Sequence, residues 1–182
     1  MVIPRIVPRD TGFPRADVEN DFLRARRRQV LSRLAAKLRL EPDEVNLLLR
    51  FDEVCDALGL IGQRDLGLRT IKLSSIVGSV EAGRGFDRRF RPTSNLVRAR
   101  WERLALAQRR GESFPPIDVY RIGDMHFVRD GHHRVSIAMA TGQKTIEAHV
   151  VEIKTVVSPA GIRGRGDLLT RRERVSATRT TN

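Results

Sequence analysis

FVRDGHHRVSIAMATG, residues 127–142, decides the fold: an apolar strand runs through a tight turn directly into a short helix. Gly131, His132, His133 and Arg134 fall at the junction. The start of a helix leaves backbone N–H groups unpaired and carries partial positive charge, so it receives anions. Two imidazoles and a guanidinium there add donors that suit phosphate oxygens. The plainer alternative has Asp130 capping the helix and the histidines on ordinary polar surface. Val135, Ala138 and Met139 are expected on the inner face of this helix, and Gly142 is placed to end it in a left-handed conformation.

Outward from this stretch, Ile117-Asp118-Val119-Tyr120 alternates at strand period, and Gly123-Asp124 turns it into Met125-His126-Phe127-Val128 as a hairpin. On the other side, Ile146, Ala148 and Val150 alternate through a last strand. Upstream, Arg69 to Leu73 has strand period and is followed by Ser74 to Ser79; Glu81 to Pro92 is a Gly- and Arg-rich loop. Asn95 to Arg110 reads as a helix that contacts the core through Leu96, Ala99, Leu104 and Ala107. Between Arg84 and Arg110 nine arginines face only Asp87 and Glu102, a local excess of seven positive charges. Arg84, Arg88, Arg89, Arg91 and Arg98 are the candidates for contacting nucleic-acid phosphates; a solvated charged surface is the plain reading of the same residues.

Asp17 to Leu40 reads as a helix with Val18, Phe22, Val30, Leu34 and Leu38 on its apolar face, and its early acids and later bases suit the helix dipole. Glu41-Pro42-Asp43-Glu44 marks the start of a second helix that continues through Val45, Leu48, Leu49, Val54 and Leu58. This pair reads as a packing hairpin or a dimerisation element, which makes a homodimer an expectation. The elements together predict an α+β fold: residues 1–66 form a helical segment, residues 67–157 a small mixed sheet with packed helices, and residues 158–182 a basic flexible tail.

The 182 residues suffice for one good core. Their 34 Lys and Arg against 22 Asp and Glu give a net charge of +12, which favours a polyanionic or phosphorylated partner. A single cysteine, Cys55, excludes an internal disulfide and a thiolate-cluster metal site, and its place in an apolar pattern predicts a buried thiol. No metal site is expected, because His126, His132 and His133 lack cysteine or acidic ligands at metal spacing. The opening MVIPRIVPRDTG has no secretory pattern and no apolar run approaches the ~18 residues of a membrane span. No membrane association is expected, and a cytoplasmic protein is the default. GxxxxGK[ST], GxGxxG, zinc-finger and helix-turn-helix patterns are missing from the sequence.

Ile71-Lys72-Leu73-Ser74-Ser75-Ile76, Pro115-Pro116-Ile117-Asp118-Val119 and Val128-Arg129-Asp130-Gly131-His132-His133-Arg134, in that order, resemble the ParB/sulfiredoxin superfamily, and more closely its ParB-like members (the ParB-like nuclease-domain proteins). The resemblance runs from about Gly67 to Ile153. It implies the ParB/sulfiredoxin-like fold and a nucleotide cofactor, CTP, ATP or ADP, with Mg2+ as its companion. In partitioning ParB proteins the corresponding turn binds CTP phosphates; Gly131 and Arg134 match its glycine and last arginine, while His132 and His133 stand where ParB has Glu-Arg. In sulfiredoxins the turn is Gly-Cys-His-Arg and binds ATP phosphates; here His132 occupies the cysteine position, so sulfinic-acid reduction by that mechanism is not implied. Asp130-Gly131-His132-His133-Arg134 looks most like the ParB-like free-serine kinases. The resemblance therefore implies Asp130, Gly131, His132, His133 and Arg134 as nucleotide-binding residues. It leaves two functions open: a nucleotide- or phosphate-binding regulator associated with nucleic acid, DNA included, or a kinase of a small hydroxylated metabolite such as serine. In the second, His133 or Glu81 would be the catalytic base, and Asp130 or Glu81 would contact magnesium.

Overall fold

The computed structural model describes residues 10–40, 48–81, 85–162 and 167–168. The order along the chain is α1 (Pro14–Leu38), β1 (Leu49–Arg50), α2 (Phe51–Leu58), β2 (Leu60–Lys72), β3 (Ile76–Ser79), α3 (Arg98–Arg109), β4 (Ile117–Ile122), β5 (Met125–Asp130), α4 (His132–Ala140) and β6 (Thr145–Thr155). Single 3-10 turns at Leu73–Ser75 and Asn95–Val97 lead into β3 and α3. The expected α+β fold is present, a mixed sheet with packed helices preceded by a helical segment. The expected second helix start at residues 41–47, Arg84, and residues 163–166 and 169–182 of the expected tail lie outside the described residues.

The six strands form one sheet in the order β1-β3-β5-β4-β6-β2. β1, β3 and β5 run parallel, the β4–β5 hairpin is antiparallel, β4 and β6 are parallel, and β6 closes against β2 antiparallel. The sheet draws on residues upstream of 67, because β2 begins at Leu60 and β1 at Leu49. Gly78 permits this: a Cβ there would lie 2.3 Å from the Leu49 carbonyl oxygen and 2.5 Å from the Phe127 ring. The period-2 reading found only the end of β2, from Arg69, because β2 is exposed along most of its length and carries no clean apolar alternation upstream.

Two cores follow from the two faces of the sheet. Ile71, Ile76, Val119, Val128, Ala148 and Val150 meet Val135 and Ala138 of α4 on one face. Leu49, Ile122, Phe127 and Ile153 meet Val54, Ala57 and Leu58 of α2 on the other. α4 thus buries the expected Val135 and Ala138, together with Ser136 and Ile137, and Gly142 after it has φ +77° as expected. α1 and α3 form a third layer on α4, where Val18 and Phe22 meet Trp101, Ala105 and Ile137. The buried Trp101 Nε1 donates to Ser136 Oγ at 3.0 Å and locks α3 to α4.

Two inner faces differ from the sequence expectation. On α1 the buried positions are Asp17, Val18, Asp21, Phe22, Ala25, Gln29 and Ala36, whereas Val30, Leu34 and Leu38 are exposed. Steps of three, four and seven residues place these positions on one side of the helix. On α3 the buried residues are Trp101 and Ala105; Leu96 lies in the preceding turn and is almost fully exposed, and Ala99 is exposed. Cys55 is half-buried rather than buried, and desolvation pushes its thiol up to about 11.

Candidate functional site

The strand-turn-helix at Gly131 lies where β5 ends beside its parallel neighbour β3, an arrangement that gathers loops at the strands' carboxyl ends. Gly131 is the residue before the first turn of α4 and has φ +105°. A Cβ on it would sit 2.4 Å from Ile117 Cγ2 and 3.2 Å from Arg134 Nε, so both the dihedral and the space demand glycine. No side chain caps α4. The alternative in which Asp130 caps the helix is therefore set aside: its Oδ2 accepts instead from Arg134 Nη2 at 2.5 Å. A helix start of this kind, with its backbone amides directed outward and no carboxylate folded over them, fits an anionic oxygen.

The two flanks of the turn differ. Arg134 leans toward β4, and its Nη1 donates to the carbonyls of Pro115 and Pro116, the latter at 2.9 Å. With the Asp130 pair, these bonds fix the guanidinium plane beside the helix start and hold the Pro115-Pro116 segment against α4. A cavity of about 390 Å3 opens past Arg134, bounded by Pro115, Gln143 and Glu147. His132, two residues back and so about 200 degrees around the helix, leans the other way. Its Nε2 is 2.6 Å from Ser79 Oγ at the end of β3, and its ring lies 6.2 Å from that of Phe90. Ser79, itself buried, also accepts from the Glu81 amide at 3.1 Å and is 3.3 Å from the Val128 carbonyl.

Ser79 is the residue that sequence reasoning missed. It ends a strand that reads as ordinary apolar β, and only the parallel pairing of Ser79 with Val128 brings it to the turn. The signal was a serine at a strand's carboxyl end, just before a Gly-rich loop.

His133 turns inward toward α3. Its ring meets Phe86 edge to face at 5.2 Å, and its Nε2 is buried with no hydrogen-bond partner among the described residues. Burial first, then the Arg100 and His132 charges, hold its pKa down to about 4, with the Val97 backbone carbonyl pulling the other way. A neutral, packed imidazole of this kind is a weak base near neutral pH. Glu81 is exposed, just beyond Ser79, and its connection to the turn runs through its backbone amide.

The basic candidates separate into groups. Arg88, Arg89 and Arg91 lie on one loop, residues 86–92, built around the buried Asp87. Its Oδ1 accepts from the Arg89 and Arg91 amides at 2.9 Å each, and its Oδ2 from Arg91 Nε at 2.8 Å. Phe90, with φ +52°, is fully buried beneath the loop, with Arg88 half-buried and Arg89 exposed beside it. Arg98 stands elsewhere, on α3, where it bridges Glu19 of α1 and Glu102, the latter at 2.6 Å. Those ion pairs hold its charge within the protein, and it works as a clasp between α1 and α3. Among the described residues no helix is long and apolar enough to cross a membrane.

No family model matches this chain, and no curated protein matches it. Among solved structures, the chain is similar to a sulfiredoxin from Arabidopsis thaliana at 19% identity and a TM-score of 0.35, over 46% of this chain and 82% of that one.

Proposed function

We propose that this protein binds a nucleotide or another phosphorylated ligand at the start of α4 and acts as a regulator associated with nucleic acid. One observation carries the reading: Gly131, at φ +105° and with no room for a Cβ, leaves an uncapped helix start between two fixed polar side chains, Arg134 and His132. Backbone amides of α4 would take phosphate oxygens, with the guanidinium of Arg134 and the ring of His132 on either side. The carboxylate of Asp130 or Glu81 would face a magnesium ion carried in with the phosphates. The order of the three sequence boxes supports a ParB-like protein of the ParB/sulfiredoxin fold, and the charge of +12 supports a polyanionic partner. The inward, weakly basic His133 is poorly suited to be the base for phosphoryl transfer to a metabolite such as serine, which leaves the exposed Glu81 as the candidate for that role and favours binding.

The test is a mobility-shift titration of DNA at two salt concentrations, with and without ATP or CTP and magnesium. The reading expects a shift that weakens steeply with salt and changes when nucleotide is added. A shift insensitive to every nucleotide would remove the regulatory part of the reading, and no shift at low salt would remove the nucleic acid.

A further inference from the structure

α1 crosses the α4 side of the sheet and leaves a groove of about 970 Å3 between itself, the 86–92 loop and the 3-10 turn at Leu73–Ser75. The charged groups lining it are very unequal. Arg24, Arg28 and Arg39 come from α1 and Arg88, Arg89 and Arg91 from the loop, against Asp21 alone. The floor is apolar, made of the half-buried Met139 and Ala140 over the buried Leu73, Ile76 and Phe90. Its walls are built: Arg91 Nη1 donates to the Arg28 carbonyl at 3.0 Å, and Arg26 Nη1 to the Pro92 carbonyl at 3.2 Å, so the loop is fastened to α1. Neither the sheet nor the Gly131 turn requires this concentration of arginine.

We infer that this groove seats a single strand of nucleic acid, with its phosphates along the arginines and its sugars and bases over the apolar floor. The inference rests on the nucleic-acid half of the function proposed above and gives it a location and a strandedness. α1 borders the groove from Asp21 to Arg39, about 27 Å of helix, long enough for several nucleotides. A phosphodiester strand carries a charge at every unit and a flat ring beside it, which matches an arginine rim over an apolar floor. A duplex keeps its bases stacked inside and offers the rim only phosphates, leaving the floor unused. All six rim cations are arginine; Arg24 is paired with Asp21 and Arg91 with Asp87, while Arg28 and Arg89 are exposed on facing sides, and their planar forks suit two phosphate oxygens each.

Fluorescence anisotropy of the full chain with a labelled oligothymidylate of about 12 nucleotides, within the range of single-strand site sizes, tests it. Arg28 and Arg89 are exposed, and Arg28 takes part in the loop contact only through its backbone, so the double variant Arg28→Glu/Arg89→Glu keeps the fold. Arg27→Glu/Arg33→Glu changes the net charge equally on exposed α1 positions that do not line the groove. Circular dichroism verifies both. The inference expects at least about a tenfold loss of affinity and a shallower salt slope in the groove variant, with the control close to wild type. Equal losses in both variants, a duplex of the same length competing better than the single strand, or polyglutamate displacing it at matched charge would each overturn the inference. Binding of duplex that ignores the groove variant would leave the nucleic-acid reading standing without this seat; no binding of either form would end both.

Discussion

Ser79 Oγ and His132 Nε2 lie 2.6 Å apart, which ties the end of β3 to the first residue of α4 across the sheet. The contact fixes the ring of His132 beside the helix start and turns Ser79 into a junction that also holds the Glu81 amide. Replacing Ser79 with Ala removes one partner from each. A buried hydrogen bond contributes on the order of 0.5–1.5 kcal/mol, so chemical denaturation of Ser79→Ala is expected to show a loss of that size. If His132 faces a bound phosphate, nucleotide affinity falls as well, whereas unchanged affinity would make Ser79 a purely structural residue.

Gly131→Ala forces a side chain into a left-handed backbone and against Ile117. Strain and overpacking of this kind cost about 1–3 kcal/mol each. The expected outcome is a clear fall in Tm together with loss of nucleotide binding at temperatures where the variant remains folded. A variant as stable as wild type would contradict the geometry of the turn.

Arg134 divides its donors between the Pro115 and Pro116 carbonyls and Asp130. A lysine carries the charge but lacks the planar fork needed to reach all three. Arg134→Lys is therefore expected to lose stability nearly as Arg134→Ala does, about 1–3 kcal/mol, while retaining more phosphate affinity than the alanine variant. Calorimetric binding set beside denaturant midpoints separates the two effects.

Stability should fall on acidification. Burial holds His126 and His133 at about 4, below the ordinary 6.5. Above 6.5 both are neutral, folded or unfolded. Between 6.5 and 4 the unfolded chain takes up protons that the folded chain refuses, so the histidines make stability decline with falling pH across this window; below 3.8 Asp17 and Asp52, whose carboxyls hydrogen bonds hold below that value, continue the decline. Removing one of the two, as in His126→Leu, should lower the proton uptake on unfolding at pH 5 by about one. Stability that is flat across the window would contradict the burial of both rings.

The sequence made the hairpin β4–β5, the Gly131 turn and α4 legible, because alternation, Gly123 and Gly142 are local signals with local causes. α1 was visible as a helix, but its inner face was not. Ala25, Gln29 and Ala36 are buried on the side of α1 turned to the rest of the fold, while the larger Val30, Leu34 and Leu38 stay outside, a choice that the tertiary arrangement makes and hydrophobicity does not. The arginines were legible as charge and not as sites. Only packing shows that Arg98 is a clasp to Glu19 and Glu102, that Arg134 holds the Pro115-Pro116 segment, and that Arg88, Arg89 and Arg91 share a groove with α1. Ser79 depended on a parallel pairing between strands separated by nearly fifty residues, to which no local pattern points.

The most direct measurement is isothermal titration calorimetry of wild type and Gly131→Ala against ATP, ADP, CTP and GTP, with and without magnesium. The account predicts saturable binding of at least one nucleotide by wild type and its loss in folded Gly131→Ala. No heat from any nucleotide up to millimolar concentration with folded wild type, or equal binding by the two proteins, would contradict a phosphate site at the start of α4.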